Sequence, residues 1–377
     1  MLAAGTLAQA SFSALTVGLA VLAPTLREEF DLSLGQIGAL LSAAWLGAVL
    51  TLLPWGLAAD RFGERIVLAL GLFGASGFLV GAAHAASFEV LFTLLVLTGA
   101  SGASVNSASG RAVMLWFAPS ERGLALGIRQ TAIPLGGLIV AVVLPGLAES
   151  GGSDAAFLFL AGLAALGAIV GLVFIRGRDG TDELEPESVA ATLRDVRLWR
   201  LSVSSGLYLY AQVAIIGFGV LFLHDEHGLS DSDAALVIAA SQVLAVGLRI
   251  GAGRWSDVVG SRIGPLRVFG LAVAAALALT AILSGGPLWA LVPALALAGS
   301  LSMSWNGLSF TAAAELAGAA RRGAAIGFQQ SVLSGLGVLA PIAFAATVSH
   351  GSWAIAFGVA GLLPVIGWRW LRPLRAY

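Results

Sequence analysis

Two arginine residues stand where a charge is unfavourable. Arg129 and Arg249 each lie within a stretch of about twenty residues that holds no other charge. A charge at the centre of a membrane helix costs about 2.5–3.5 kcal/mol, so such a residue is a functional candidate. No Asp or Glu falls within a predicted span, except Glu89 and Asp233 at outer ends. Because a guanidinium can bind a carboxylate through two parallel hydrogen bonds, the pattern favours an anionic substrate.

Neutral hydrogen-bonding side chains accompany the two arginines. Gln242 precedes Arg249 by seven residues, so the two share a helix face about 10 Å apart. Tyr208 and Gln212 form an i, i+4 pair in the seventh predicted span. We expect this set to hold the second end of an anion. Its other members are Gln130, Gln329, Gln330, Asn106, Asn306 and Trp305.

Each of these residues also has an ordinary structural interpretation. Arg129 and Arg249 lie in the inner third of their spans, from which a long side chain can reach the interface. The Asn, Gln and Ser side chains would equally join helices by hydrogen bonds, and Trp45 and Trp305 would fill the interior. The His-Asp-Glu-His run at 224–227 is better explained as a solvated turn in an outer loop than as a metal site.

The composition places these residues in a membrane protein. Of 377 residues, 58% are hydrophobic and 11% are charged, whereas soluble domains carry about 25% charged residues. Helices are expected because a backbone in lipid must satisfy its own polar groups. The absence of Cys excludes disulfides, thiol catalysis and Cys-ligated metals, and the net charge of −1 gives no indication of nucleic-acid binding.

The sequence predicts an all-α integral membrane protein with twelve transmembrane helices in two pseudo-symmetric six-helix bundles. The first apolar stretch is interpreted as a retained helix because no basic region precedes it. We predict an N-terminal bundle over residues 1–176, a cytoplasmic linker over 177–199 and a C-terminal bundle over 200–377. The spans are placed at roughly 7–27, 36–58, 66–86, 88–110, 123–147, 155–175, 200–223, 233–256, 265–284, 288–311, 323–347 and 352–371.

The distribution of basic residues predicts the orientation. All 20 basic residues are Arg, and all but three fall on one side of the predicted spans. The exceptions are Arg27 in an outer loop and the two intramembrane arginines. Since basic residues accumulate on the cytoplasmic side, both termini are predicted to be cytoplasmic in the inner (plasma) membrane.

An internal repeat relates the two predicted bundles. After span two the chain reads Gly56-Leu-Ala-Ala-Asp60-Arg61-Phe-Gly63-Glu-Arg65, and after span eight Gly253-Arg-Trp-Ser-Asp257-Val-Val-Gly260-Ser-Arg262. At a nearly constant offset, Gln130 and Gly137 of span five match Gln330 and Gly337 of span eleven. Asn106 of span four likewise matches Asn306 of span ten. Such a duplication is typical of transporters that bind substrate between their halves.

Over essentially its whole length the chain resembles the major facilitator superfamily of transporters. The loop at residues 56–65 fits that family's Gly-x-x-x-Asp-Arg/Lys-x-Gly signature, although Glu64 replaces a usual basic residue. The second copy departs further, with Val258 at a basic position. The resemblance implies that these loops form a latch that holds the outward-open state. The latch residues are Gly56, Asp60, Arg61, Gly63, Arg65, Gly253, Asp257, Gly260 and Arg262.

Arg249, four residues before Gly253, resembles the span-eight arginine of monocarboxylate porters and of the oxalate–formate exchanger group. In those families this arginine contacts the anion. Nitrate porters have a second arginine in span two, where this chain has Leu52, so nitrate is disfavoured. The exchanger group has its second cation in span eleven, where Gln329 and Gln330 stand here, and Arg129 is the candidate replacement.

The favoured function is therefore transport of a small mono- or dicarboxylate by alternating access, as a symporter or exchanger. The alternative is proton-coupled efflux of drug-like or neutral compounds, suggested by Pro134-Leu-Gly136-Gly137 but disfavoured because no buried carboxylate is predicted. A non-transporting membrane sensor is a third possibility, and a channel suits the repeat less well. An intramembrane enzyme would need acid–base or nucleophilic groups that the spans lack.

The expected partners are a small anionic substrate, the lipid bilayer, and a proton or counter-anion for coupling. We expect a monomer, with no cofactor, metal or nucleic acid.

Overall fold

The computed structural model describes residues 2–105, 128–175, 186–318 and 321–376. Within these ranges the secondary structure is helical and contains no strand. The predicted all-α membrane fold is confirmed. Its helices are α1 (Leu2–Val21), α2 (Ala23–Glu29), α3 (Leu34–Phe62), α4 (Glu64–Ala82), α5 (Phe88–Gly102), α6 (Ala132–Phe174), α7 (Pro186–Arg194), α8 (Val196–Gln212), α9 (Phe218–His227), α10 (Asp231–Val259), α11 (Ile263–Leu283), α12 (Leu288–Ser302), α13 (Asn306–Ala317), α14 (Arg322–His350) and α15 (Trp353–Trp370).

Ten helices in the described residues are long and apolar enough to cross a membrane. One of them, Ile128–Phe174, contains two predicted spans, because its backbone leaves the helical region at Gly151 and Gly152. The two arms run antiparallel, since Leu144 and Leu160 both lie against Gly18 of α1. Helix α5 is the start of the fourth predicted span, whose remainder lies outside the described residues. The segments therefore follow the predicted order.

Glycine allows neighbouring helices to approach closely. A Cβ atom on Gly47 of α3 would lie 2.0 Å from the Val96 carbonyl oxygen of α5, and one on Gly99 would lie 2.2 Å from the Ala44 carbonyl oxygen. The two backbones thus touch at reciprocal positions. Such small-residue contacts are how membrane helices associate where no hydrophobic driving force exists between them.

The connection around residue 195 differs from the prediction. The predicted linker contains a helix, α7, and α8 begins at Val196 rather than near residue 200. Asp195 accounts for this start because its carboxylate accepts a hydrogen bond from the Arg197 backbone N–H at 3.0 Å. A side-chain hydrogen bond from Arg197 also lowers the pKa of the Asp195 carboxyl.

The seventh predicted span is also longer than expected. A π-helical turn at Val213–Gly217 joins α8 to α9, which continues to His227. His224 and His227 therefore lie in the last turn of a helix that is followed by Gly228 with φ 65°, so their placement in a loop was wrong. No group of three or more potential metal ligands occurs in the described part of the chain.

We refer to α1–α6 as the first-half helices and α8–α15 as the second-half helices. They meet along two antiparallel helix pairs, α3 with α14 and α6 with α10. At the end that carries the N-termini of α3 and α10, side chains of the two halves form hydrogen bonds and ion pairs. We call this the closed end. The bundle boundaries at 176 and 200 stay a prediction.

Candidate functional site

The contact between α6 and α10, which we call the polar seam, joins the halves at three levels. Nearest the closed end, Ser232 donates a hydrogen bond to Glu149 at 3.0 Å. Farther along, Gln242 lies directly over Gly137, where a Cβ atom would be 2.8 Å from the amide. At the third level, Arg249 donates to the main-chain carbonyl of Gln130. The structure thus brings together three of the predicted site residues, Gln130, Gln242 and Arg249.

The contact between α3 and α14, which we call the glycine seam, is apolar. A Cβ atom on Gly38 would lie 2.9 Å from both the Pro341 carbonyl oxygen and the Ala345 Cβ atom. Farther from the closed end, the Trp45 ring covers Gly337, at 2.6 Å from the position of an added Cβ atom. Trp45 therefore fills the space between the halves, in agreement with its packing interpretation.

The Arg249 side chain bridges three helical segments. Its Nε atom donates to the Met303 carbonyl at 2.7 Å, and Nη1 donates to the Gln130 carbonyl of the other half. The Met303 carbonyl is accessible because the helix is interrupted between α12 and α13. Arg249 is 9% exposed, and its Nη2 atom has no hydrogen-bond partner in the described ranges. The guanidinium is thus held by neutral carbonyls and keeps a donor for a ligand.

Arg129 belongs to a different environment. Its Nη2 atom donates to the Gln9 side chain of α1 at 3.0 Å, and the side chain is 9% exposed. The matching residue of the repeat, Gln329, contacts Ser205 at 3.4 Å and Ser309. Both residues therefore connect to the first helix of their own half. The described contact of Arg129 thus lies within the first half and not across the polar seam.

Several buried polar atoms at this level have no hydrogen-bond partner among the described residues. Gln242 is fully buried, and both its Oε1 and Nε2 atoms are unpartnered. The Trp305 Nε1 atom and the Asn306 Oδ1 atom are likewise unpartnered among the described residues. Both residues lie next to the interruption between α12 and α13 that leaves the Met303 carbonyl accessible. Leaving such a group unsatisfied costs about 1–3 kcal/mol, so these atoms mark a region able to accept polar ligand groups.

Tyr208 lies inside the second half rather than at a seam. Its ring meets Trp305 edge-on at 6.0 Å between centroids, and its hydroxyl points at Gly270, 2.2 Å from an added Cβ atom. Helical spacing suggested a shared face with Gln212 but did not specify which neighbour that face meets. Gln212 is half-buried, and its Oε1 atom has no hydrogen-bond partner within the described ranges; Gln330 is also half-buried. Asn106 lies outside the described residues.

Both latch loops turn at a glycine with positive φ. Gly63 follows the end of α3 with φ 79°, and Gly260 follows the end of α10 with φ 65°, so each turn uses a conformation that favours glycine. An added Cβ atom would meet open space at Gly56 and Gly253.

The charged latch residues differ between the two loops. Arg262 pairs with Asp257 and, at 3.1 Å, with Glu315, all within the second half. Arg61 and Arg65 are exposed, and the Asp60 side chain is outside the described part. A latch role for either loop stays a prediction.

The structure adds a group of polar contacts at the closed end that the sequence analysis did not identify. Arg27 of α2 pairs with Asp225 of α9, and Thr25 donates to Asp231 of α10 at 3.1 Å. The sequence did contain an indication of these contacts, because both halves carry charged residues at the predicted outer boundaries. Which of these residues meet depends on how the halves pack.

The fold and the sequence define the class of protein. The model of the Major Facilitator Superfamily matches residues 2–341, and the chain belongs to this family. The members it resembles are transporters rather than enzymes, as predicted.

An MFS-type transporter of Mycobacterium tuberculosis, Rv2994, is 34% identical over 354 residues, which cover 92% of this chain and 79% of that protein. The hexuronate transporter of Bacillus subtilis is 22% identical over 254 residues, covering 64% of this chain and 60% of that protein. A Thermus thermophilus protein named "probable nitrate/nitrite antiporter NarK1" is 31% identical over 265 residues, covering 64% and 57%.

Solved structures share the fold. A bacterial homologue of the human lysosomal transporter Spinster, in an inward-facing and occupied conformation, superposes with a TM-score of 0.80 at 18% identity. The match covers 99% of this chain and 95% of that one.

Proposed function

We propose that this protein is a secondary active transporter that carries a small organic anion across the membrane by alternating access, as a symporter or exchanger. The observation that carries the proposal is the environment of Arg249. In the described ranges this buried guanidinium has no carboxylate partner, contacts two neutral carbonyls and has an unpartnered Nη2 atom. A buried charge without a counter-ion is unfavourable, so an anionic ligand would supply the missing partner.

The position of Arg249 supports a role in alternating access. One of its hydrogen bonds stays within the second half and the other reaches the first half. A carboxylate is a stronger acceptor for a guanidinium than a neutral carbonyl is. An arriving anion would therefore compete with the Gln130 carbonyl and weaken one of the contacts that join the halves.

The neighbouring groups favour an organic anion over a small inorganic one. Gln242 lies two helical turns from Arg249, about 10 Å along α10, and offers both a donor and an acceptor. A ligand that reaches both side chains needs an anionic group and a second polar group. The hexuronate carried by the Bacillus relative has both, whereas nitrate has only the first. Leu52 in place of a span-two arginine also disfavours nitrate.

The proposal includes the orientation and the bundle boundaries. The arginine distribution supports cytoplasmic termini and an inner-membrane location, with the closed end facing outward. The six-helix bundles at 1–176 and 200–377 would rock about the central site, with the loops at 56–65 and 253–262 as latches. The protein would act as a monomer.

Purified protein provides the test, in a thermal-shift screen followed by uptake into vesicles. The probes are glucuronate, succinate, nitrate, a neutral nucleoside and a cationic dye. Glucuronate or succinate should stabilise the protein and be transported. Arg249→Gln should weaken anion affinity about 30-fold or more, because it removes a buried charged partner. Arg254→Gln provides the matched control, since Arg254 lies five residues farther along the same helix and is exposed.

Each other result identifies a different function. Stabilisation by neutral or cationic compounds, unchanged in Arg249→Gln, would contradict the anion proposal and support the efflux alternative. Anion binding without uptake into vesicles would indicate a sensor. Nitrate binding as tight as that of the organic anions would overturn the assignment of an organic substrate.

A further inference from the structure

Four histidines lie toward the closed end, but in the part of the chain that the structure describes only His224 lies among charged groups of both halves. Its Nε2 atom is 3.9 Å from Glu28 of α2 in the first half and 3.8 Å from Asp231 of α10 in the second. Its Nδ1 atom is 3.3 Å from the carboxylate of Asp225. The imidazole thus lies within 4 Å of three carboxylates.

The other histidines are placed differently. His227 lies within hydrogen-bonding distance of the Ser284 carbonyl at 2.8 Å, and His350 of the Ala346 carbonyl at 2.8 Å. Both partners belong to the second half. His84 is exposed after α4. These three residues have the same chemistry as His224 without its position between the halves, so they are natural controls.

The charges around His224 are mostly negative. Arg27 is the cation next to them, and it pairs with Asp225. Asp231 accepts a hydrogen bond from Thr25 through one oxygen, while its other oxygen, Oδ1, is buried without a partner in the described part of the chain. The titratable and charged groups on the surrounding elements are Arg27, Glu28 and Glu29 of α2, Asp225, Glu226 and His227 of α9, Asp231 and Asp233 of α10, and Glu149 of α6.

We propose that His224, together with Glu28 and Asp231, forms a proton-binding site shared by the two halves, and that its protonation favours closure of this end. A proton from water adds to an imidazole nitrogen, and no other bond is made or broken. The imidazolium then attracts the Glu28 and Asp231 carboxylates, which otherwise repel each other across the closed end. The unpartnered Asp231 Oδ1 atom becomes an acceptor for the new N–H group.

Thermodynamic linkage gives the direction of the effect. The contacts of His224 with Asp225 and Asp231 stay within the second half, whereas its contact with Glu28 forms only when α2 and α9 are together. Protonation and closure therefore promote each other through Glu28. The inference rests on the alternating access of the proposed function but not on an anionic substrate. It assigns the proton as a ligand that favours closure of this end.

The absence of cysteine from the chain allows specific spin labelling. Cysteines introduced at Ala86 and Gly285, exposed loop positions of the first and second halves, would report the width of this end through the distance between their labels. Distance distributions would be recorded without substrate at about pH 5.5 and about pH 8.5, on either side of the ordinary histidine range. The closed-to-open ratio should be about five-fold or more higher at the lower pH.

The variants separate this site from other sources of pH dependence. His224→Gln should abolish the change with pH, while His84→Gln and His350→Gln should retain it. Asp231→Asn keeps an oxygen to accept the Thr25 hydrogen bond and should reduce the change. A wild-type ratio that is independent of pH, or that falls on acidification, would overturn the proposal, as would a normal response in His224→Gln. Failure of anion binding at Arg249 would leave this result unaffected, because the measurement uses no substrate.

Discussion

The glycine seam and the polar seam occupy equivalent places in the repeat but differ in chemistry. The offset that relates Asp60 to Asp257 also relates Trp45 to Gln242, and Gly137 matches Gly337. In both seams a long side chain of one half covers a glycine of the other. The glycine seam uses an indole that fills the space, whereas the polar seam uses an amide whose two polar atoms have no described partner.

The next level of the repeat shows the same difference. Leu52 of α3 corresponds to Arg249 of α10, so the glycine seam is apolar where the polar seam carries a charge. The duplicated framework has therefore kept its contact geometry while the two seams acquired different properties. One seam is suited to close packing between the halves, and the other can bind a polar ligand between them.

Gly38→Leu should have the largest effect, because it places a bulky side chain against the backbone of the facing helix in the glycine seam. The added side chain would meet the Pro341 carbonyl and the Ala345 Cβ atom, so closure should be weakened by about 1–3 kcal/mol or more. Label distances between positions 86 and 285 should increase, and transport should be largely lost. Gly35→Leu is the control, since a Cβ atom there is no nearer than 3.9 Å to its neighbour. Normal closure in Gly38→Leu would show that this seam is not tight.

Gln242→Leu tests the polar seam, and it should stabilise closure where Gly38→Leu weakens it. Replacing an unpartnered buried amide by an apolar group of similar size should stabilise the closed form by about 1–3 kcal/mol. The melting temperature should rise by several degrees while transport falls, because the closed form is held too firmly and one ligand contact is missing. Gln242→Asn, which keeps the amide, should not raise stability. A lower melting temperature in Gln242→Leu would mean that the amide has a partner that stabilises the protein.

The same small substitution in the two seams should have unequal effects. Gly337→Ala places a methyl group 2.6 Å from the rigid Trp45 ring, whereas Gly137→Ala places one 2.8 Å from the flexible Gln242 side chain. We expect Gly337→Ala to be the more destabilising by about 1 kcal/mol, because the indole has fewer alternative rotamers. Thermal unfolding of the two variants measures the difference. Equal melting temperatures would indicate that the Trp45 ring can move aside.

Arg27→Gln should have the smallest effect on closure of the two halves. The Arg27–Asp225 pair is partly exposed, at 37% and 24%, and such pairs contribute about 0.2–1 kcal/mol. Label distances at the closed end should increase slightly at low ionic strength. The difference from wild type should disappear at about 1 M salt, where screening acts over about 3 Å. A large effect that persists in salt would assign Arg27 a role beyond this ion pair.

Much of the architecture follows from the sequence because the bilayer restricts the possible structures. The length of apolar stretches gave the order of the spans, and the repeat identified Gly137 with Gly337 and Gln130 with Gln330 before any contact was known. The rarity of intramembrane charge selected Arg249. The thickness of the hydrocarbon core determines the length of each span, and the cost of burying a charge applies to each residue separately. Both effects can therefore be read from individual residues or local segments.

What the sequence did not provide depends on contacts between distant segments. The Met303 carbonyl belongs to the backbone, so its role could not be predicted from the residue type. It accepts a hydrogen bond from Arg249 only because the helix is interrupted there. Tyr208 has the residue type of a binding group, but its hydroxyl faces Gly270 within one half. His224 was placed in a solvated turn, since nothing local shows that Glu28 and Asp231 approach it from different helices.

The contact of Glu29 with the hairpin of α6 has a mechanical consequence. The Glu29 carboxylate accepts the Ser153 backbone N–H at 2.9 Å, directly after the bend at Gly151–Gly152. It therefore ties the tip of α2 to the point where both arms of α6 meet. A displacement of α2 would therefore act on both arms of α6 at their junction rather than on one arm alone.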